Sequence, residues 1–208
     1  RLQRELRLAS QGISTVEAQV SGLYGVDGVR SLSFLENVSH EFQTIDGIDM
    51  KPHSVWACVY GGADDDIAMS LLRNKTDGSG WNGAVSVTVT EPNAEIPYTV
   101  QFDRPKEVSI TVQVTVRRGQ STVNPTEAVP VTLTQYASGE IDGERGFVVG
   151  ANVSPFELSG AINIIHPEIF VRNVLISRKG SALSAGEIEI MRNEVPVLDA
   201  SNVTVVID

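Results

Sequence analysis

The amino-acid sequence predicts an α+β protein of two small modules, residues 1–104 and 105–208, each a mixed or antiparallel sheet packed with one or two helices. Capped helices alternate along the chain with strands in which apolar and polar residues alternate. A polar, proline-containing segment, residues 103–107, divides the chain near its middle. The order of capped helix, short turn and strand occurs once on each side of it. Two copies favour related modules but are too few to establish a repeat.

The first module begins with a capped helix. Ser14 and Glu17 have the spacing of a capping box, in which the serine hydroxyl accepts a backbone N–H of the first turn. The helix should end at Gly25 and bury apolar residues at three- and four-residue spacings: Val16, Val20, Leu23 and Tyr24. Residues 29–34 alternate apolar and polar, as a half-buried strand does. Residues 54–60 are apolar on both faces, which predicts a central strand.

A second helix follows a Gly-Gly pair. We expect Asp64 or Asp65 to cap it, because a carboxylate can accept the first free N–H groups of a helix. The pair Asp77 and Gly78 should close this helix. Its buried residues should be Ile67, Ala68, Leu71 and Leu72.

Strands dominate the middle of the chain. Residues 84–90 and 98–102 alternate cleanly and should pair as an antiparallel hairpin. Residues 108–116 are the most regular strand, with a valine or isoleucine at every second position. Residues 126–136 fit either a helix with an early proline or an edge strand, because Pro130 interrupts the apolar pattern.

The second module repeats the capped start. Ser154 and Glu157 form another capping box, and Pro155 occupies the first helical position, where its missing N–H costs little. The helix should end before Pro167, and residues 139–150, which precede it, are typical of a loop. Three strands should complete the module: residues 171–176, 187–191 and 202–207.

Composition limits the class of protein. Hydrophobic residues make up 41% of the 208 residues and charged residues 20%, as in ordinary globular proteins. The net charge of −10 argues against nucleic-acid binding, which needs clustered Lys and Arg, and the densest basic pair is only Arg117 and Arg118. No apolar run approaches the ~20 residues that span a bilayer, so we expect no membrane span.

The single cysteine and the start of the chain carry weaker signals. Cys58 lies in an apolar run, where a buried structural thiol is expected, and it favours folding in a reducing cytoplasm. The chain opens on a charged, amphipathic segment, residues 1–7, without an initiator Met or a signal-peptide core. We therefore expect a piece of a longer gene product.

One glycine-rich segment matches a nucleotide-binding pattern by its letters alone. Residues 78–83 read G-S-G-W-N-G, but a helix is predicted before them and a strand after them. Phosphate binding requires the opposite order, with the glycines leading into a helix N-terminus. We interpret the segment as a turn that presents Trp81 at its tip to a partner.

No side chains assemble into a predicted active site. The consecutive acids at 64–66 lack the alternating spacing of a calcium loop and are interpreted as a helix start. His40, His53 and His166 are isolated in sequence, and no serine lies in a nucleophile elbow. We therefore expect no catalytic, cofactor-binding or metal-binding residue, no cofactor and no enzyme activity.

Residues 49–68 carry a family resemblance. They read DMKPHSVWACVYGGADDDIA, an apolar strand that enters a Gly-Gly-x-Asp turn and then a helix beginning with Ile-Ala. This resembles the core signature of the baseplate J-like family, wedge proteins of contractile phage tails and related injection machines. The order continues upstream at Gly25–Val29 and downstream at residues 100–105, which read VQFDRP. The resemblance covers nearly the whole chain, is densest over residues 13–105, and corresponds to the C-terminal part of such proteins.

The resemblance implies a structural role. It implies a wedge subunit that pairs with a second copy of itself and associates with other wedge proteins and the sheath-initiating protein. It places the chain in the tail baseplate of a virion, assembled in the host cytoplasm, where a change of the ring's conformation precedes sheath contraction. Exposed strand edges such as residues 108–116 would then meet neighbouring subunits.

The alternative is a receptor- or carbohydrate-binding module. Trp81, Asn82 and Asp77 lie close together in sequence and could hold a sugar ring. Aromatic residues, however, make up only 6% of the chain, and a groove of stacked aromatic side chains would need more.

Overall fold

The computed structural model describes residues 15–75, 78–93, 95–117 and 123–208. Within them the chain forms four α-helices and eleven strands in small sheets, which confirms the predicted α+β class. It divides into two compact units. The first comprises the described residues up to Pro105 together with Met191–Asn193, and the second comprises Lys106–Ile190 and Glu194–Asp208. No helix among the described residues is long and apolar enough to cross a membrane.

The first helix, α1 (Val16–Tyr24), starts one residue later than the predicted capping box. Thr15 is its N-cap, and the threonine hydroxyl accepts the N–H of Ala18 at 3.1 Å. Ser14 lies outside the described residues. The helix ends at Gly25 as predicted, and it buries Leu23, while Val16 is exposed because the buried face is centred on Ala18.

A three-stranded sheet forms the centre of the first unit. β1 (Val29–Asn37) pairs antiparallel with β4 (Ser54–Gly61), and β4 is buried on both faces, so its predicted central position is confirmed. Between them, β2 (Gln43–Ile45) and β3 (Ile48–Met50) form a small hairpin. On the other side of β4 lies β5 (Gly80–Asn82), which is parallel to it.

A helix and a ribbon pack onto this sheet. α2 (Asp64–Arg73) buries Ile67, Ala68 and Leu71 as predicted, but it ends at Arg73, before the predicted stop. Asp77 lies outside the described residues. β6 (Val85–Thr90) and β7 (Pro97–Phe102) pair antiparallel, which confirms the predicted hairpin. Val100 and Phe102 of this ribbon join the core of the first unit.

The sheet of the second unit is built around β8 (Lys106–Val116). Its valines and isoleucine alternate inward as predicted, and all five are buried: Val108, Ile110, Val112, Val114 and Val116. β9 (Val171–Arg178) pairs antiparallel with β8 from Ile110 onward. β10 (Glu194–Val197) and β11 (Val203–Ile207) both run parallel to β8. The expectation that β8 offers an exposed edge is therefore wrong, because its backbone groups are already paired with these strands.

Two helices cover that sheet. The ambiguous segment is a helix, α3 (Pro125–Ser138), which begins at Pro125 after the N-cap Asn124 and contains Pro130 in its second turn. α4 (Pro155–Ile165) is capped by Ser154 and ends before Pro167, as predicted.

The predicted strand at residues 187–191 is wrong. Ile190 is buried, as expected of a strand. Ile188, however, pairs only in an isolated bridge with Val153. The strand lies further on, at β10, where the backbone runs alongside β8. Apolar alternation alone therefore misplaced the strand, because the neighbouring backbone decides where a ladder can form.

Candidate functional site

The residues of the Gly-Gly-x-Asp signature converge on Arg104. Its guanidinium donates to the backbone carbonyls of Val59 at 2.9 Å, Gly61 at 2.6 Å and Gly62 at 2.8 Å. Its Nε also donates to Asp64 Oδ1 at 3.0 Å. One planar cation therefore ties the end of β4 and the first turn of α2 to the end of the first unit.

Asp103 makes the matching connection on the acidic side. Its carboxylate accepts the indole N–H of Trp56 and the backbone N–H of Ala84, both at 2.6 Å. Its own backbone pairs with Ala57 and Val59 of β4. The pair Asp103-Arg104 thus joins β7 to β4 through both main chain and side chain, and these polar groups are occupied by internal bonds.

The two signature glycines take conformations that other residues rarely adopt. Gly61 and Gly62 have φ values of +82° and +73°. A Cβ at Gly61 would lie 2.2 Å from the carbonyl oxygen of Gly28, far inside contact distance. Glycine is therefore required where the chain passes from β4 into α2.

The expectation that Asp64 or Asp65 caps α2 is wrong. Ala63 is the N-cap and makes no side-chain cap bond, so the three acids fill the first turn instead. The Asp64 carboxylate binds Arg104 and makes no cap bond to the free N–H groups of the helix. The acids still complement the positive end of the helix. Among the described residues, no group of three or more His, Cys, Asp or Glu is placed to hold a metal ion.

The glycine-rich segment is a strand, not an exposed turn. Residues 80–82 form β5, so the expectation that Trp81 stands at a loop tip is wrong. Trp81 packs against the core of the first unit with its indole nitrogen buried, and Lys75 Nζ lies 4.6 Å from the ring centroid. Asn82 is buried and donates to Ser54 Oγ at 2.6 Å and to the Val55 carbonyl at 3.1 Å. Of the proposed sugar-binding groups, Asn82 is therefore committed to the interior, Trp81 is partly buried, and Asp77 lies outside the described residues.

The buried side-chain amide of Asn37 holds the segment between β1 and β4. Asn37 donates to the carbonyls of Glu41 and Lys51, both at 2.9 Å, and accepts the N–H of Ser39.

Beside Asn37 the structure brings together two histidines that are 13 residues apart in sequence. His53 Nε2 lies 2.8 Å from His40 Nδ1. The two histidines, isolated in sequence, are therefore in contact in the fold. The third, His166, lies 3.3 Å from Glu168 in the second unit.

The second unit has its own ion pair. Arg178 donates to both carboxylate oxygens of Glu194, at 3.0 and 2.7 Å, and to the Glu189 carbonyl at 2.6 Å. Hydrogen bonding to the buried Glu194 raises the pKa of Arg178. Burial, followed by the nearby charge of Glu157, raises the pKa of Tyr136. The ion pair of Arg178 and Glu194 fastens β9 to β10 and so has a structural role.

Large apolar side chains stand on the surface of both units. Phe156, in the first turn of α4, is 82% exposed. Val38 and Phe42 of the first unit are 73% and 71% exposed. Others exposed to a lesser degree include Val131, Ile164, Phe170 and Met191. Contiguous patches of such side chains mark surfaces that meet other proteins, whereas single ones are normal on protein surfaces.

No protein-family model matches the chain, and a search of curated proteins finds no relative of it. The functional argument therefore rests on two features of the fold. Polar clusters hold turns and strands together, and the outer surface carries prominent aromatic and aliphatic side chains.

Proposed function

We propose that the chain is a structural subunit of the baseplate wedge of a contractile phage tail or a related injection machine. It assembles through protein–protein contacts and takes part in the conformational change that triggers sheath contraction. The resemblance to the baseplate J-like family supports this role. So does the way in which the signature residues are used, since Gly61, Gly62, Asp64 and Arg104 all serve a rigid turn.

One observation carries the proposal. Polar side chains of the first unit form hydrogen bonds within the protein, while large apolar side chains are exposed on its surface. Asp103, Arg104, Asn37 and Asn82 are all engaged in bonds that hold backbone segments. Phe156, in contrast, is held outward by the first turn of α4. A wedge subunit needs a stiff frame and apolar anchors that partner proteins can cover.

The partners are a second copy of this chain, other wedge proteins and the sheath-initiating protein. The net charge of −10 keeps unassembled subunits apart from one another at long range and favours partners with basic surfaces. The proposed location is the tail baseplate of the virion, assembled in the host cytoplasm.

Light scattering tests self-association through Phe156. The wild-type chain should form dimers or larger species as concentration rises. Phe156→Ser should weaken this association at least ~10-fold, since an exposed aromatic anchor is lost without disturbing the core. Phe156→Leu, which keeps an apolar side chain, is the matched control and should associate like the wild type. A wild-type chain that remains monomeric at every concentration contradicts the proposed pairing.

A further inference from the structure

Two histidines of the first unit form a pair on its surface. His40 lies in the segment after β1 and His53 in the turn before β4, and both side chains are exposed. Their rings meet edge to face, with centroids 4.5 Å apart and planes at 79°. The facing nitrogens, His53 Nε2 and His40 Nδ1, are 2.8 Å apart. We infer that His40 and His53 together form a two-imidazole binding site for Cu²⁺.

The ligand type, two imidazole nitrogens, decides the preferred metal. Two ligands in neighbouring positions of a square-planar ion, with bonds of about 2.0 Å at about 90°, are about 2.8 Å apart. Tetrahedral Zn²⁺ with similar bonds would hold them about 3.3 Å apart. The 2.8 Å contact between His40 and His53 is the length of a hydrogen bond, and rotation of the exposed rings brings their nitrogens to either spacing. Cu²⁺ binds nitrogen ligands more tightly than the other divalent metals of its row.

Neutral imidazoles can supply both lone pairs without losing a proton. In the metal-free pair, one ring donates its N–H to the other across the 2.8 Å contact. A shift of that proton to the outer nitrogen of its own ring leaves His53 Nε2 and His40 Nδ1 as bare acceptors. Because both rings are exposed, a rotation about their side-chain bonds turns the two lone pairs onto one ion.

The backbone around the pair is fixed by buried contacts. Asn37, which is 1% exposed, binds the carbonyl of Glu41, next to His40, and the carbonyl of Lys51, two residues before His53. The His53 N–H also donates to the Ser39 carbonyl at 3.2 Å. Both segments are therefore held together whether or not a metal is present, and this preorganisation favours chelation.

The surroundings suit a cation. Glu36 and His53 line the same surface cleft, which has a volume of about 340 Å³. No group of three or more metal-binding side chains occurs in the part of the chain that the structure describes, so water completes the coordination. An ion that joins His40 to His53 also closes the loop that contains β2 and β3.

The test is titration of the tag-free chain with Cu²⁺ in the presence of glycine as a weak competing ligand. Electron paramagnetic resonance should show one Cu²⁺ per chain with two imidazole nitrogens. His40→Ala and His53→Ala should each lower the affinity at least ~10-fold, because a chelate becomes a single ligand. His166→Ala, which removes the remaining histidine, should bind like the wild type. Circular dichroism verifies that all variants stay folded.

Three results would overturn the inference. One is unchanged affinity in both His40→Ala and His53→Ala, which would place bound Cu²⁺ elsewhere on the chain. Another is a Zn²⁺ affinity equal to or above that for Cu²⁺, which would contradict the order of affinities expected for two nitrogen ligands. A change in the Cu²⁺ spectrum of His166→Ala would also count against the assignment.

Discussion

Arg104 and Asp64 are 40 residues apart in the chain, and their side chains meet where β4 turns into α2. The same guanidinium also binds three carbonyls of this turn, those of Val59, Gly61 and Gly62. The ion pair is half exposed on its acidic side, so water screens it. The carbonyl bonds therefore contribute more to stability than the ion pair does.

Substitutions of the two partners should separate these contributions. Arg104→Ala should lower the free energy of unfolding by about 2–3 kcal/mol, because three carbonyls lose a charged donor. Asp64→Ala should lower it by less than about 1 kcal/mol. Urea unfolding measures both. Equal losses in the two variants would show that the ion pair, and not the carbonyl bonds, stabilises the turn.

Gly61 and Gly47 provide a matched pair for the signature turn. Their φ values are +82° and +81°, so alanine is strained equally at both. At Gly47 the new Cβ meets nothing within 4 Å, and the expected loss is about 1 kcal/mol. At Gly61 it meets the Gly28 carbonyl, and the expected loss is at least about 3 kcal/mol or failure to fold. Thermal unfolding of Gly61→Ala with a midpoint close to that of Gly47→Ala would refute the close approach.

Cys58 should be inert in the folded chain. Burial, then the charge of Asp103, raises the pKa of its thiol from the ordinary 9.0 to about 12, while Arg104 lowers it slightly. Because the thiolate is the reactive form, a thiol reagent at mildly alkaline pH should label Cys58 only as the chain unfolds. Rapid stoichiometric labelling without denaturant would contradict this burial.

The same shift has a consequence for stability at high pH. The folded state keeps the thiol neutral, so its contribution is complete below pH 9.0 and is lost as the pH rises toward about 12. Cys58→Ala should therefore show a shallower fall in the free energy of unfolding above about pH 9 than the wild type. Some fall should remain, because burial also raises the pKa of Tyr136. An identical slope in both proteins would be the opposite result.

In the second unit, burial should distinguish two arginine–carboxylate pairs. Arg178→Ala leaves the carboxylate of Glu194 buried without its guanidinium and should cost about 2–4 kcal/mol. Arg172→Ala breaks the exposed pair with Asp208 and should cost less than about 1 kcal/mol. Chemical denaturation measures both, and a larger loss in Arg172→Ala would reverse the expected order.

Local patterns predicted the elements whose residues decide their own conformation. The alternation of valines in β8 and the Ser154 cap of α4 are local, because side-chain period and capping act over a few residues. The hairpin of β6 and β7 was predictable for the same reason.

Contacts between distant segments were not predictable in this way. β5 is a strand because β4 lies beside it, and no pattern in three residues announces that pairing. The contact between His40 and His53 depends on Asn37, whose buried side chain bonds to the backbone of both segments. Arg104 belongs to the predicted boundary segment, yet in the fold its guanidinium donates hydrogen bonds to Gly61 and Asp64. Only the folded chain shows these three relationships.

Quantitative mass spectrometry of contractile particles from cells that encode this chain tests whether the chain is a subunit of a contractile-tail baseplate. The particles are purified intact and then stripped of sheath, so that the baseplate can be analysed separately. We predict that the chain remains with the baseplate fraction, at a constant ratio to the other wedge proteins. Purified particles that lack the chain would contradict it.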